Sequence, residues 1–189
     1  LELLQLESAG ADQYCREGVL PEQTILTNAT GAFGLACSEY VVTYALTLMK
    51  RMNQYHEQQK KHLWQPGGTV QSIYGATVLL IGLGDIGSET AKRMKALGAN
   101  TIGVKRSVRE VPDYLDELYT NDYIDELLPR ADVVVLSLPQ TAETYHLMND
   151  KRFSSMKKTA ILINVGRGSV VDSEALKEAL LQSTISGAA

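Results

Sequence analysis

The hexapeptide GLGDIG at residues 82–87 constrains this chain more than any other feature. An uninterrupted apolar run, Thr77–Ile81, leads straight into it and has the character of a buried parallel strand. Helix-forming residues follow with Ala91, Met94 and Leu97 at helical spacing, then Gly98 as a stop signal and a second apolar run at 101–104. Strand, glycine turn, helix and strand within about thirty residues is the context a dinucleotide-binding fingerprint requires. Each glycine has a separate task. Gly82 permits the tight turn, Gly84 lets backbone approach a pyrophosphate, and Gly87 lets the helix pack close to the strand. The helix amino end then offers unpaired N–H groups and a positive dipole end to phosphate. Without that context the same spacing would describe no more than a flexible loop.

The flanking pattern extends the same architecture. Residues 132–138 (DVVVLSL) and 160–164 are further buried strand candidates, separated by helical stretches at 121–128 and 150–156, and Asp172 opens another helix reaching about residue 182. Strands alternating with helices predict an α/β fold, a doubly wound parallel sheet of the Rossmann type. Ahead of it lie two short strand candidates, 1–6 and 24–26, too little for a core of their own. One long helix is expected over 35–63, apolar in its first half (Val41, Ala45, Leu48, Met49) and polar in its second, which includes His56 and His62. Pro66-Gly67-Gly68 ends it, and 71–74 connects to the glycine unit.

Composition narrows the function classes. A net charge of −4 argues against a general nucleic-acid binder. No apolar run approaches the roughly 18 residues of a membrane span. Cys15 and Cys37 fit neither metal spacing nor a disulfide framework, so no metal is expected and a reducing, cytoplasmic compartment is the default. The opening LELLQLE, without Met, suggests a piece of a longer protein.

Two stretches carry chemistry. NAD-binding units place an acid about twenty residues beyond the glycines to hold the ribose 2′-hydroxyl. Here that place holds Lys105, Arg106 and Ser107, which suit a 2′-phosphate, so NADP(H) is expected ahead of NAD(H); a solvated pair of surface bases is the alternative. The second stretch is NVGRGSVVD, 164–172. An Arg between two glycines at the carboxyl end of a parallel strand faces the crevice where such sheets bind ligands, and its rigid fork suits a carboxylate or a polarised carbonyl. A surface Arg in a tight turn is the other reading.

GLGDIG, SLPQTAET (137–144) and NVGRGSVVD, together with SAGAD near the start, occur in the order and spacing of the D-isomer-specific 2-hydroxyacid dehydrogenases, which the whole chain resembles. The resemblance implies a cofactor domain inserted into a discontinuous, flavodoxin-like substrate domain. Residues 1–33 would then be a remnant of the substrate domain and 34–189 the dinucleotide-binding domain. It further implies that backbone at Ala9 and Gly10 holds the substrate carboxylate, and that Arg167 binds substrate and polarises its carbonyl. Asp85 and Ile86 would lie under the pyrophosphate, while Leu138, Pro139, Thr144, Val165 and Gly166 would line the nucleotide pocket. Two positions depart from the family pattern: Asp85 stands where an Arg is more usual, and Lys105 where an acid is. The implied activity is hydride transfer between NADP(H) or NAD(H) and a small 2-keto or 2-hydroxy acid such as glyoxylate or hydroxypyruvate, by a homodimer paired through the long helix. The family's general acid, a His oriented by a Glu, would lie beyond Ala189, and His146 does not match it. The 189-residue chain alone is therefore expected to hold cofactor without turnover. Two further readings stay open, a phosphoglycerate-dehydrogenase-like enzyme and a nucleotide-sensing corepressor resembling the C-terminal-binding proteins.

Overall fold

The computed structural model describes residues 1–107 and 110–189. Two three-residue strands, β1 (Leu3–Gln5) and β2 (Ile25–Thr27), pair in parallel as a small separate sheet. Helix α1 (Gly34–Met49) and helix α2 (Met52–Lys60) follow, then β3 (Thr77–Ile81), α3 (Asp85–Ala96), β4 (Asn100–Val104) and β5 (Glu117–Tyr119). The chain continues through the short helix α4 (Ile124–Leu127), flanked by single 3₁₀ turns, to β6 (Val133–Leu136), α5 (Asp150–Ser155), β7 (Ile161–Asn164), α6 (Ser173–Leu181) and β8 (Gly187–Ala188).

The main sheet has six strands, all parallel, in the order β5-β4-β3-β6-β7-β8. The chain winds outward from β3 in one direction, then returns to its other side at β6. That reversal between β3 and β6 opens a crevice at the carboxyl ends of the strands, where doubly wound sheets bind ligands.

Both faces of this sheet are covered, and the period of two in its strands decides which side chain meets which helix. Val78, Leu80, Val133, Val135, Ile161 and Ile163 pack toward α1 and α3, against Val41, Ala45, Met49, Ala91 and Met94. Leu79, Ile81, Ile102, Val134, Leu136 and Leu162 pack the opposite way, against Ile124, Leu127, Phe153, Met156 and Ala179. Leu79, Leu80 and Ile81 are fully buried, which stabilises the fold by on the order of 1.5–3 kcal/mol per side chain. Asn149 caps α5 through the Arg152 N–H (3.2 Å), and Asp172 caps α6 through the N–H groups of Glu174 and Ala175 (3.1 and 3.2 Å).

The structure departs from these expectations at two points. The single helix over 35–63 is two helices, broken at Arg51, whose φ of 56° is left-handed. Helical periodicity runs on through the break, but the returning segment competes for the end of α1. Gln71 N–H donates to the Met49 carbonyl (3.0 Å), Lys50 Nζ to the Gln71 carbonyl (2.6 Å), and the Arg51 guanidinium to the Gly67 carbonyl. One face of that apolar half packs on its own sheet, where Val41 and Ala45 have no exposed surface, while Leu35, Tyr40 and Tyr44 stay exposed. Finally, β5 and β8 are strands that the pattern does not announce, since ELY and GA carry too few apolar residues to stand out. Both depend on pairing with an already formed neighbour. His56 and His62 face solvent as expected.

Candidate active site

Every residue singled out for nucleotide or substrate contact past residue 80 lies just beyond the carboxyl end of β3, β4, β6 or β7, or at the start of α3. Gly82 leaves β3 with φ 102°, and its N–H donates to the Val104 carbonyl (3.0 Å). A Cβ there would press on the Ser137 carbonyl, and one at Gly87 would fall on the Gly82 carbonyl. These two glycines hold α3 against its strand. Gly84 is different: it is exposed, and a Cβ on it would meet nothing within 4 Å. Its neighbourhood is open ground, the approach a diphosphate needs. The α3 bonding begins with Ser88 N–H on the Gly84 carbonyl (2.9 Å), so the N–H groups ahead of it point out of the helix end. Ser137 ties this turn to β6, its hydroxyl donating to the Gly82 carbonyl (2.9 Å). The sequence signal for Ser137 was a lone hydroxyl ending an apolar run.

Asp85 and Ile86 occupy the first turn of α3. The Asp85 carboxylate is turned toward Gly34, so that a Cβ on Gly34 would collide with it. It therefore lies between the amino ends of α1 and α3, two positive dipole ends that favour a carboxylate.

At the end of β4, Lys105 is half-buried and its N–H donates to the Tyr119 carbonyl (3.1 Å), while Arg106 and Ser107 are exposed. Arg106 lines a hollow of about 430 Å³ with Asn121, Asp122, Leu138, Thr144 and Arg152. Arg152 is fixed there by Asp125 (Nε–Oδ1 2.6 Å) and by the Leu147 carbonyl (2.7 Å). The Arg152 guanidinium holds the Asp125 carboxyl below its ordinary range. Thr144 closes the loop beneath this hollow: its hydroxyl donates to the Pro139 carbonyl (2.7 Å) and accepts from Thr141 N–H (2.8 Å). Asn121, Asp122 and Arg152 were not among the residues expected from sequence.

A second hollow, about 390 Å³, lies along the same rim and is lined by Gly10, Asp12, Cys15, Arg16, Pro139 and Arg167. Leu138 and Pro139 are consecutive, so the turn after β6 is the divide between the two hollows. Behind it, Asn164 clamps the next loop, its Oδ1 accepting from Gly166 N–H (3.0 Å) and its Nδ2 donating to the Arg167 carbonyl (2.9 Å). Val165 N–H donates to the Leu136 carbonyl (3.0 Å), and a Cβ on Gly166 would meet the Leu138 carbonyl. The loop thus delivers Arg167 across to residues 9–12, joining positions far apart in the chain. Arg167 Nε donates to Asp12 Oδ2 (2.8 Å) and Nη1 to the Gly166 carbonyl (3.2 Å). Its Nη2 lies directly over Gly10, leaving no room for a side chain there.

Ala9, Gly10 and Arg167 therefore line one hollow. Asp12 was missed. It closes the SAGAD stretch two residues after Gly10, but no role was assigned to it there. His146 lies elsewhere, stacked on Tyr145 (4.0 Å between centroids) with Nδ1 3.4 Å from Asp172 Oδ2.

The sequence model of the D-isomer specific 2-hydroxyacid dehydrogenase NAD-binding domain matches residues 42–189. The chain belongs to the D-isomer specific 2-hydroxyacid dehydrogenases. A glyoxylate reductase of Pyrococcus horikoshii is 36% identical over 94% of this chain and 54% of its own length. Among solved structures, this chain is similar to a D-lactate dehydrogenase of Aquifex aeolicus complexed with NAD and lactic acid, with TM-score 0.87, 31% identity, and coverage of 100% of this chain and 56% of that one. It is also similar to an NADPH-dependent glyoxylate/hydroxypyruvate reductase of Sinorhizobium meliloti in complex with NADP and sulfate, with TM-score 0.88, 27% identity, and coverage of 100% and 60%. The chain spans about half the length of the curated relatives it matches. Among the described residues, no helix is long and apolar enough to cross a membrane.

Proposed function

We propose that residues 34–189 form the cofactor domain, and 1–33 part of the substrate domain, of an NADP(H)-dependent enzyme that reduces a small 2-keto acid such as glyoxylate or hydroxypyruvate. The observation that carries this reading is the pair of hollows on one rim, one beside Arg106 and the other beside Arg167 and Gly10. A dinucleotide laid over Gly84 with its diphosphate at the α3 amino end would reach toward both. Gly82, Gly84, Asp85, Ile86 and Gly87 would hold the diphosphate. Lys105, Arg106 and Ser107 would hold the 2′-phosphate, and Leu138, Pro139, Thr144, Val165 and Gly166 the rest. When bound, the reduced nicotinamide supplies the hydride.

The chain's own residues supply charge and orientation. Backbone at Ala9 and Gly10 would take the substrate carboxylate. The Arg167 guanidinium would stabilise the negative charge that develops on the keto oxygen, an electrostatic role suited to a permanently charged fork. A guanidinium keeps its proton near neutral pH, so Arg167 is a poor proton donor. None of the three histidines lines its hollow, so the proton would come from a group other than these. NAD(H) is the competing cofactor, and the acids Asp122 and Glu143 on the Arg106 hollow are what would favour it over a 2′-phosphate. A homodimer would use the apolar surface that α1, α2 and the following segment leave open: Leu35, Tyr40, Tyr44, Met52, Leu63 and the wholly exposed Trp64. The reading is tested by NADPH oxidation in the full-length protein carrying this chain. Oxidation that depends on added glyoxylate or hydroxypyruvate is expected; none with either acid, at any cofactor concentration, would contradict it.

A further inference from the structure

The ion pair between Arg167 and Asp12 joins residues 155 positions apart and is half-exposed, with 37% of each side chain accessible. A pair so open to solvent contributes only about 0–1 kcal/mol to stability. Its geometry is more informative than its energy. The Asp12 carboxylate takes Nε and the Gly166 carbonyl takes Nη1, which fixes the plane of the guanidinium. Nη2 is left over Gly10 with no acceptor among the described residues. Among the described residues it is the nitrogen of the fork with both N–H groups unengaged, and it can meet a ligand in the hollow.

The turn that carries Asp12 is itself held. Asn28 Nδ2 donates to the Ala9 carbonyl (2.9 Å), the Ser8 hydroxyl to the Gly10 carbonyl (3.0 Å), and Tyr14 N–H to the Ala11 carbonyl (2.9 Å). One short turn therefore presents both the backbone at Ala9 and Gly10 and the carboxylate that aims Arg167.

We propose that Asp12 is a positioning residue for the reaction: it holds Arg167 by Nε so that Nη2 faces the reacting carbonyl. The assignment rests on the 2-keto-acid reading above. Without Asp12 a flexible, charged side chain is free to swing toward solvent or to lie flat against the substrate carboxylate. The substrate would still be attracted, but the charge on its keto oxygen would be poorly met. Misplacement of this kind costs rate more than binding.

The test uses Asp12→Ala and Asp12→Asn in the full-length protein. Asn keeps an oxygen that can accept from Nε, whereas Ala does not. Asp12→Ala should lower kcat by about ten- to a hundredfold, with KM for the keto acid and the Kd for NADPH little changed. Asp12→Asn should recover most of that loss. Unchanged kcat in Asp12→Ala, or equal losses in both variants, would overturn the assignment. A purely structural role would instead lower the melting temperature and cofactor affinity together. The aim itself is read without turnover, from the Arg167 Nε–H nuclear magnetic resonance in the 189-residue chain. A slowly exchanging signal, kept in Asp12→Asn and lost in Asp12→Ala, is expected; the same exchange in all three proteins would contradict the geometry. Absence of keto-acid turnover by the unsubstituted protein would count against the functional reading alone.

Discussion

The glycine turn and the Arg167 loop both end buried strands of one sheet, yet they are held in place by different means. The turn is fixed from within. Gly82 and Gly87 press against each other and against Ser137, over strand residues with no exposed surface. The backbone of the loop is clamped by Asn164, but the Arg167 side chain is held from outside, through an ion pair to a segment whose strands span three residues each and leave Leu1, Leu3 and Ile25 more than half exposed. The glycine turn of the proposed cofactor side is thus seated on the core, while the proposed substrate side takes the aim of Arg167 from a loosely packed neighbour. Substitutions should therefore separate the two functions on the substrate side and fail to separate function from stability at the turn.

The largest effect is expected on the substrate side. Arg167→Ala should lower kcat with a 2-keto acid by about 10²–10³-fold in the full-length protein, with NADPH affinity unchanged. Loss of NADPH affinity in the same variant would break the comparison, because it would mean that the two hollows are not separate. Next comes the rim beside β4. Replacing Lys105 and Arg106 together should weaken NADPH by about 2–4 kcal/mol, at ~1–2 per charge-assisted contact, and leave NADH nearly unaffected. Titration calorimetry with both cofactors measures this directly. Gly87→Ala should then cost about 1–3 kcal/mol of stability, because its Cβ has no space to occupy. Denaturant unfolding and cofactor titration should move together in that variant. Retained NADPH binding in a destabilised Gly87→Ala protein would show that the turn is less tied to the core than described.

The smallest effect is a pH dependence confined to the cofactor side. Lys95, with help from the Thr101 N–H, holds the Asp116 carboxyl below its ordinary range. Arg130 and then Tyr119 do the same for Glu117, and Arg152 for Asp125. Each folded pKa lies below the unfolded one, so each contribution is present above the unfolded value and is lost as pH falls through the folded one. The melting temperature should hold steady above about pH 5 and decline below about pH 4, with Asp116→Asn flattening part of that decline. A decline that begins near pH 6 would contradict this assignment to the three carboxylates.

The same division explains what could be read from the amino acids. Thr77–Ile81, GLGDIG and the apolar runs at β4, β6 and β7 announce themselves because burial on both faces demands continuous apolar strands and close backbone approach demands glycine. Local chemistry was enough there. The break at Arg51 was not legible, since the groups that take the end of α1 come from Gly67 and Gln71, in the irregular segment beyond α2. Nor were β5 and β8, whose strand character exists through pairing alone. At the site, Arg167 was legible from the glycines around it. Asp12 was not, because its role depends on a contact that folding creates across nearly the whole chain.

The central claim is that this rim accepts a dinucleotide with a 2′-phosphate. Parallel calorimetric titration of the 189-residue chain with NADPH and with NADH tests it most directly. NADPH bound at least about tenfold more tightly, a difference of roughly 1.4 kcal/mol, is the predicted result. NADH bound as tightly or more tightly would contradict it.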